Sequence, residues 1–236
     1  MRFSLYVALF LALSGNVRAE EASFEPSIII DEYVAASRAQ QSKLQGASME
    51  VDIEAELPKL QKRGHLYALR RISNLGRITY DLLRFEGDRS IKNDVIARYL
   101  TAEAEAHKSE QSTFAVTPAN YKFKFKGLVE KEGRKVYVFH VSPRKKTLGL
   151  FDGELWLDPD THLAVREAGR LVKSPSIFVR KIEFVREYVI QNGIAVPSRI
   201  QSFVHTRLVG KAKISVAFSS FSIAEQAQVV PTGGSL

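Results

Sequence analysis

Five histidines, His65, His107, His140, His162 and His205, are the side chains best suited to metal or proton chemistry near neutral pH. None stands in an HExxH or HxH pattern, and no nearby carboxylate falls at ligand spacing, so no metal is expected. The chain has no cysteine, which removes thiolate ligands and disulfides. It has no GxSxG elbow and no glycine loop that could cradle phosphate, and no cofactor is implied. Asp158 and Asp160 stand two apart, but Pro159 between them and Thr161 after them form a turn signature rather than an acid/base pair. No catalytic residue is named. A glycosidase needs two carboxylates across a cleft, and the sequence leaves such a pair open.

The other charged feature is basic. Arg144, Lys145 and Lys146 follow Pro143 as a short loop after an apolar strand, suited to anionic headgroups or an acidic partner. Arg180, Lys181 and Arg186 extend it, on a strand that also carries Glu183 and Glu187. Formal net charge is +8, or +6 without Arg2 and Arg18. Those two belong to a segment of their own. Met1-Arg2 is a basic start, Leu5 to Leu13 is an apolar core too short to span a bilayer, and Val17-Arg18-Ala19 has small residues at a cleavage site's −3 and −1 positions. This reads as a secretory signal peptide cut after Ala19, which makes nucleic acid an implausible partner; the periplasm as destination is what the resemblance given below implies. Residues 20–226 are expected to form one domain and 227–236 a disordered tail.

The elements follow from periodicity. Residues 27–45 read as an amphipathic helix with Ser27 as N-cap and Gly46 as C-cap. Met49, Val51, Ile53, Ala55 and Leu57 then alternate with Glu50, Asp52, Glu54 and Glu56, a strand with one face in water. Strands at 65–72 and 77–85 precede a second helix over 91–107, where Val95, Ile96, Tyr99 and Leu100 share one face. Strands then run to the end. Val136–Val141 is apolar on both sides, a hairpin turns at Asp158–Thr161, and Asn192-Gly193 marks another tight turn. About ten strands with short connections predict a mainly β fold, an antiparallel meander curling into an incomplete barrel with two helices as lid or plug. Phe123, Phe125, Trp156, Phe178, Phe184, Ile200, Ile214 and Phe218 are the expected lining of an apolar hollow.

The stretches GLFDGELWLDPDTHLAVREAGRLV (149–172), YVIQNGIAVPSRI (188–200) and TRLVGKAKISVAF (206–218), with the helix–meander–helix–meander order, resemble the periplasmic outer-membrane lipoprotein carriers of the LolA/LolB-like superfamily. The likeness spans about residues 27–223, and its motifs are structural. It implies a half-barrel with helices as a lid over a cavity for acyl chains. It also implies that an early-strand arginine (Arg70, Arg71 or Arg77) touches the lid, and that inner- or outer-membrane transport proteins are transient partners. The missing cysteine sets the chain apart from the lipid-anchored receptor branch. The expected function is a non-enzymatic carrier of a lipoprotein or lipid. Two alternatives stand beside it: a regulatory module of the same fold that binds a protein partner, and an enzyme acting on envelope lipid or glycan.

Overall fold

The 3.6-residue period at the start becomes helix α1, Pro26–Lys43, in a computed structural model that describes residues 25–108 and 114–223. The expected signal peptide and tail lie outside the described residues. Proline is favoured at the first helical position, where its missing N–H is not needed. Pro26 takes that position, so Glu25 rather than Ser27 is the N-cap, and the Ser27 hydroxyl donates to the Glu25 carboxylate at 3.3 Å. At the other end Leu44 is the C-cap. Gly46, at φ +75°, instead donates its N–H to Ile72 O at 2.9 Å and turns the chain into the sheet.

Ten strands follow: β1 Ala47–Leu57, β2 Lys62–Ile72, β3 Ile78–Gly87, β4 Tyr121–Lys131, β5 Arg134–Pro143, β6 Phe151–Leu157, β7 Ala164–Leu171, β8 Val179–Gln191, β9 Ile194–Thr206 and β10 Lys211–Ile223. They form one antiparallel sheet in the order β3-β2-β1-β10-β9-β8-β7-β6-β5-β4. Edge strands β3 and β4 do not pair with each other, so the barrel stays open, as the meander predicts. Two tight turns, Glu132-Gly133 and Asn192-Gly193, carry positive φ at both residues, the twist that hairpins favour. At the β6–β7 turn Asp158 Oδ1 accepts from the N–H and the hydroxyl of Thr161, both at 2.8 Å, so this carboxylate shapes the loop.

The second helical segment, α2 (residues 89–108), joins β3 to β4, the two opposite edges. It begins at Asp88, whose side chain caps it, and contains a π-helical stretch, Lys92–Ile96, before Ala97–Lys108. In an α-helix residues five apart diverge by about 140°. The wider π turn brings Ile91 and Ile96 onto one side, where both are fully buried.

Both helices lie on the same face of the sheet. Ile29 and Tyr33 of α1 pack with Tyr121, Phe139, Leu155 and Phe184 of β4 to β8. Ile91 and Ile96 of α2 pack with β1, β2 and β10 through Val51, Ile53, Leu66 and Val216. No helix among the described residues is long and apolar enough to cross a membrane.

Candidate functional site: the inner face between the helices

The strand registers align one lateral row across the whole inner face. It runs Phe85, Leu66, Ile53, Val216, Ile200, Arg186, Glu167, Leu155, Phe139, Phe125, from edge to edge. Eight members are apolar, and the two at β8 and β7 are charged. Arg186 Nη1 donates to Glu167 Oε2 at 3.1 Å, and the Tyr188 hydroxyl reaches the same oxygen at 3.4 Å.

Tyr33 of α1 and Tyr99 of α2 complete this polar seam from above. Desolvation, then Glu167, raises Tyr33; desolvation, then Glu103, raises Tyr99; both stay well above the ordinary phenol value. Tyr188 is raised the same way, by desolvation first and Glu167 second. All three hydroxyls therefore remain donors throughout the physiological range. For Arg186, desolvation pulls the guanidinium pKa down, but Glu167 and Tyr188 outweigh it, and the net shift is upward.

The Arg186 side chain is 45% accessible and that of Glu167 11%. Ile200, which pairs with Arg186, and Val204, Phe218 and Phe221, which pack with it against the α2-side cluster, are partly rather than fully covered. Two open depressions lie elsewhere. One of about 620 Å³ opens between the β7–β8 and β9–β10 loops. One of about 280 Å³ sits on the outer face between Glu56 and Arg199.

Helix α2 is fastened over its half of the floor by a second polar cluster. Arg70 of β2, only 6% exposed, places Nη2 3.3 Å from Glu103 of α2. The Tyr80 hydroxyl of β3 donates to the other Glu103 oxygen at 2.5 Å. Arg70 Nη1 also points to Met49 Sδ at 3.6 Å. Of the three arginines set out above, Arg70 alone touches the helix. Arg71 is exposed and pairs with Asp81, and the Arg77 backbone N–H bonds Ser73 in the β2–β3 turn.

The remaining expected residues divide by strand parity. Phe123, Phe125 and Phe184 meet in the α1-side cluster; Ile214, Ile200 and Phe218 meet on the α2 side. Val95, Ile96, Tyr99 and Leu100 face the sheet from α2. Trp156 is on the outer face, because Leu155 and Leu157 take the inner one. There it opposes Val138, bonds Glu154 at 3.0 Å and lies under Arg166 and Lys131. Phe178 sits in the β7–β8 loop, exposed. Arg186 belongs to the inner seam and does not extend the basic loop Arg144–Lys146.

Sequence reasoning missed the Glu167–Arg186 pair. A signal existed: Arg166-Glu167 and Arg186-Glu187 are identical dipeptides that align antiparallel, one opposed pair on each face.

A Ser142–His140–Asp152 cluster on the outer face resembles a hydrolytic triad by composition. Its connectivity is different. His140 Nε2 faces both Ser142 Oγ (3.1 Å) and Asp152 (3.7 Å), and Ser142 donates directly to Asp152 at 2.8 Å. A triad needs the two imidazole nitrogens to take separate partners. Among the described residues no group of three or more His, Asp or Glu side chains could hold a metal.

The start of α2 is pH-sensitive. Asp88 accepts from the Ser90 N–H (2.7 Å) and hydroxyl (2.6 Å), with Lys62 at 3.3 Å, and the Ser90 bonds first, then Lys62, hold its pKa below 3.8. The cap's contribution is complete above that ordinary value and disappears as pH falls through the lower folded value. Amide exchange at Arg89–Ile91 is expected to quicken there, and the D88N variant to show the faster exchange already at pH 7.

No family model and no curated protein sequence matches the chain. Solved structures do. A DUF1329 family protein from Desulfovibrio piger aligns at TM-score 0.40 and 14% identity, over 84% of this chain and 94% of that one. A LolA superfamily protein from Nitrosomonas europaea aligns at TM-score 0.38 and 11% identity, over 84% and 92%. A putative outer membrane lipoprotein-sorting protein domain from Vibrio parahaemolyticus gives TM-score 0.38 and 8% identity, over 84% and 94%. LolA-superfamily proteins are thus among the structural neighbours. At these values they describe likeness and carry nothing about function.

Proposed function

We propose that the inner face between α1 and α2 takes the acyl chain of a lipid or lipoprotein, and that the protein carries or presents this cargo in the periplasm after loss of residues 1–19. The carrying observation is the set of partly covered apolar residues on the inner face, Ile200, Val204, Phe218 and Phe221, beside the 45% accessible Arg186. It supports a floor that the chain's own side chains do not fill. Ile200, Ile214, Phe218 and Phe184 contact the hydrocarbon, and the polar seam meets its headgroup end.

Each methylene removed from water contributes about 0.8 kcal/mol, so one long acyl chain contributes roughly 10 kcal/mol. Release therefore needs a competitor. Helix α2, seated by Arg70 and Glu103 over the same floor, is that competitor, and cargo is admitted when it lifts. Transient contact with inner- or outer-membrane transport proteins is the natural trigger.

Solvent extraction of protein purified from its native periplasm, read by mass spectrometry, is expected to yield a stoichiometric lipid or acylated peptide. I200S should lower affinity for a fluorescent fatty acid roughly tenfold, the effect of losing one buried aliphatic contact. A single dominant protein partner with no lipid would instead favour the regulatory module. Product formation abolished by Glu167→Gln would favour an enzyme.

A further inference from the structure

All loops at one end of the sheet can be placed by strand direction. That end carries the long β3–β4 connection with α2, and the β1–β2, β5–β6, β7–β8 and β9–β10 loops, residues 58–61, 144–150, 172–178 and 207–210. They are stitched together. Val172 N–H donates to Leu150 O at 3.0 Å, Arg207 N–H donates to Phe178 O at 2.9 Å, and Gly210 lies against Lys59.

Their composition is one-sided. The four loops hold six basic residues, Lys59, Arg144, Lys145, Lys146, Lys173 and Arg207, and no Asp or Glu. The β-turns at the opposite end, residues 73–77, 132–133, 158–163 and 192–193, hold Glu132, Asp158 and Asp160 against Arg77 alone, net −2 (1 minus 3). The carboxylates bordering these loops have partners: Asp88 with Ser90 and Lys62, Glu56 with Lys213, Asp152 with Ser142, and Glu183 with Lys181 and His205.

The same loops expose large apolar tips. Ile177 is 79% accessible, Leu208 69% and Phe178 54%. Beside them opens the hollow of about 620 Å³, lined by Ser174, Ser176, Ile177, Val179, Arg180 and Arg207. Among the described residues neither arginine has a carboxylate partner. Apolar tips beside unpaired guanidinium groups match the layering of a bilayer surface, hydrocarbon below and phosphate above.

We propose that this rim docks on an anionic phospholipid bilayer. Ile177, Phe178 and Leu208 enter the upper acyl layer. Arg180 and Arg207 hold headgroup phosphate in the hollow, and Lys145, Lys146 and Lys173 add long-range attraction. The proposal does not depend on cargo in the inner groove.

The test is co-sedimentation of the full chain with mixed phosphatidylcholine–phosphatidylglycerol vesicles, against phosphatidylcholine alone, at about 0.1 M salt. Binding is expected to the mixed vesicles only, and to weaken as salt rises. Each cation at an anionic surface contributes roughly fivefold, so R180Q/R207Q should weaken binding about thirtyfold. I177S/F178S/L208S should weaken it to a similar degree. All five positions are in or beside exposed loops, so folding is checked by unchanged thermal unfolding. Phe178→Trp in a Trp156→Phe background should shift its emission to the blue on vesicles. Equal binding to neutral vesicles, no binding to either, an unshifted emission, or binding indifferent to both variant sets would overturn the proposal. So would capture of an acidic protein by the rim without vesicle binding.

Discussion

Arg70→Ala is expected to lower the unfolding free energy by about 3 kcal/mol, because removing one member of a buried ion pair strands the other. Glu103 would lose its cation while Tyr80 still donates to it. The larger consequence is local. The C-terminal half of α2 has Glu103 as its charged attachment, while Ile91, Val95, Ile96, Tyr99 and Leu100 supply the apolar one, so loss of the charged contact should open Ala97–Lys108 without opening the strands. Amide exchange in Ala97–Lys108 should rise by roughly a hundredfold, the equivalent of about 3 kcal/mol. Arg70→Met keeps the packing volume and separates charge from bulk. Tyr80→Phe removes one hydrogen bond and should cost about 1 kcal/mol. Unchanged exchange in α2 after Arg70→Ala would show that the helix is not latched there. The latch also has an alkaline limit. Desolvation first, then Glu103, raises Tyr80 well above 10.0. An acid whose folded value is raised contributes fully below the unfolded value, and the contribution declines as pH climbs above 10 toward the folded value.

Gly153→Ala is expected to be costlier than any surface change in the sheet, at about 3 kcal/mol or more. A Cβ on Gly153 would lie 2.0 Å from Ala168 O and 2.6 Å from Gly169 Cα. Both are backbone atoms of the neighbouring strand and cannot turn aside. Gly169, its partner in the register, meets Asp152 O at 2.5 Å in the same way. The hairpin is therefore built on two facing glycines, which let β6 and β7 approach and coil. Urea denaturation of G153A should show a lower midpoint, with near-ultraviolet dichroism of Trp156 reporting a disturbed hairpin. G193A, where the added carbon meets open space, gives a comparison without a collision, though at a strained φ of +70°. Stability of G153A equal to wild type would mean that the strands separate without cost.

The strands were legible because period 2 is hard to mistake where one side is wet. Met49 to Leu57 alternates with four carboxylates, and every odd position is buried. Asn192-Gly193 announced its turn through the only chemistry that tolerates two consecutive positive φ values cheaply. Parity was harder where both faces are apolar. Trp156 is the largest side chain in its hairpin, but its neighbours Leu155 and Leu157 claim the core, and a tryptophan flanked by Arg166 and Lys131 finds partners outside. The latch and the seam were hidden for a different reason. Arg70 and Glu103 are 33 residues apart in sequence and Tyr80 and Glu103 are 23 apart, and nothing local marks which of three nearby arginines is buried. The register had to be known first. The helix starts were displaced by single residues with a clear preference, Pro26 at one and Asp88 at the other.

The pairing of β1 with β10 has a consequence for how the molecule comes into being. Ile53 meets Val216, and Ala47 meets Ile223, so two neighbouring interior strands are the first and the last of the sheet to be synthesised. Before β10 arrives the chain can form only two separate fragments, a three-stranded one and a six-stranded one, each with a naked inner margin. Loop-closure entropy and long sequence separation make their union the late step. A truncation that removes β10 would therefore leave two part-sheets ready to join with the wrong neighbour, a far graver injury than trimming either outer edge.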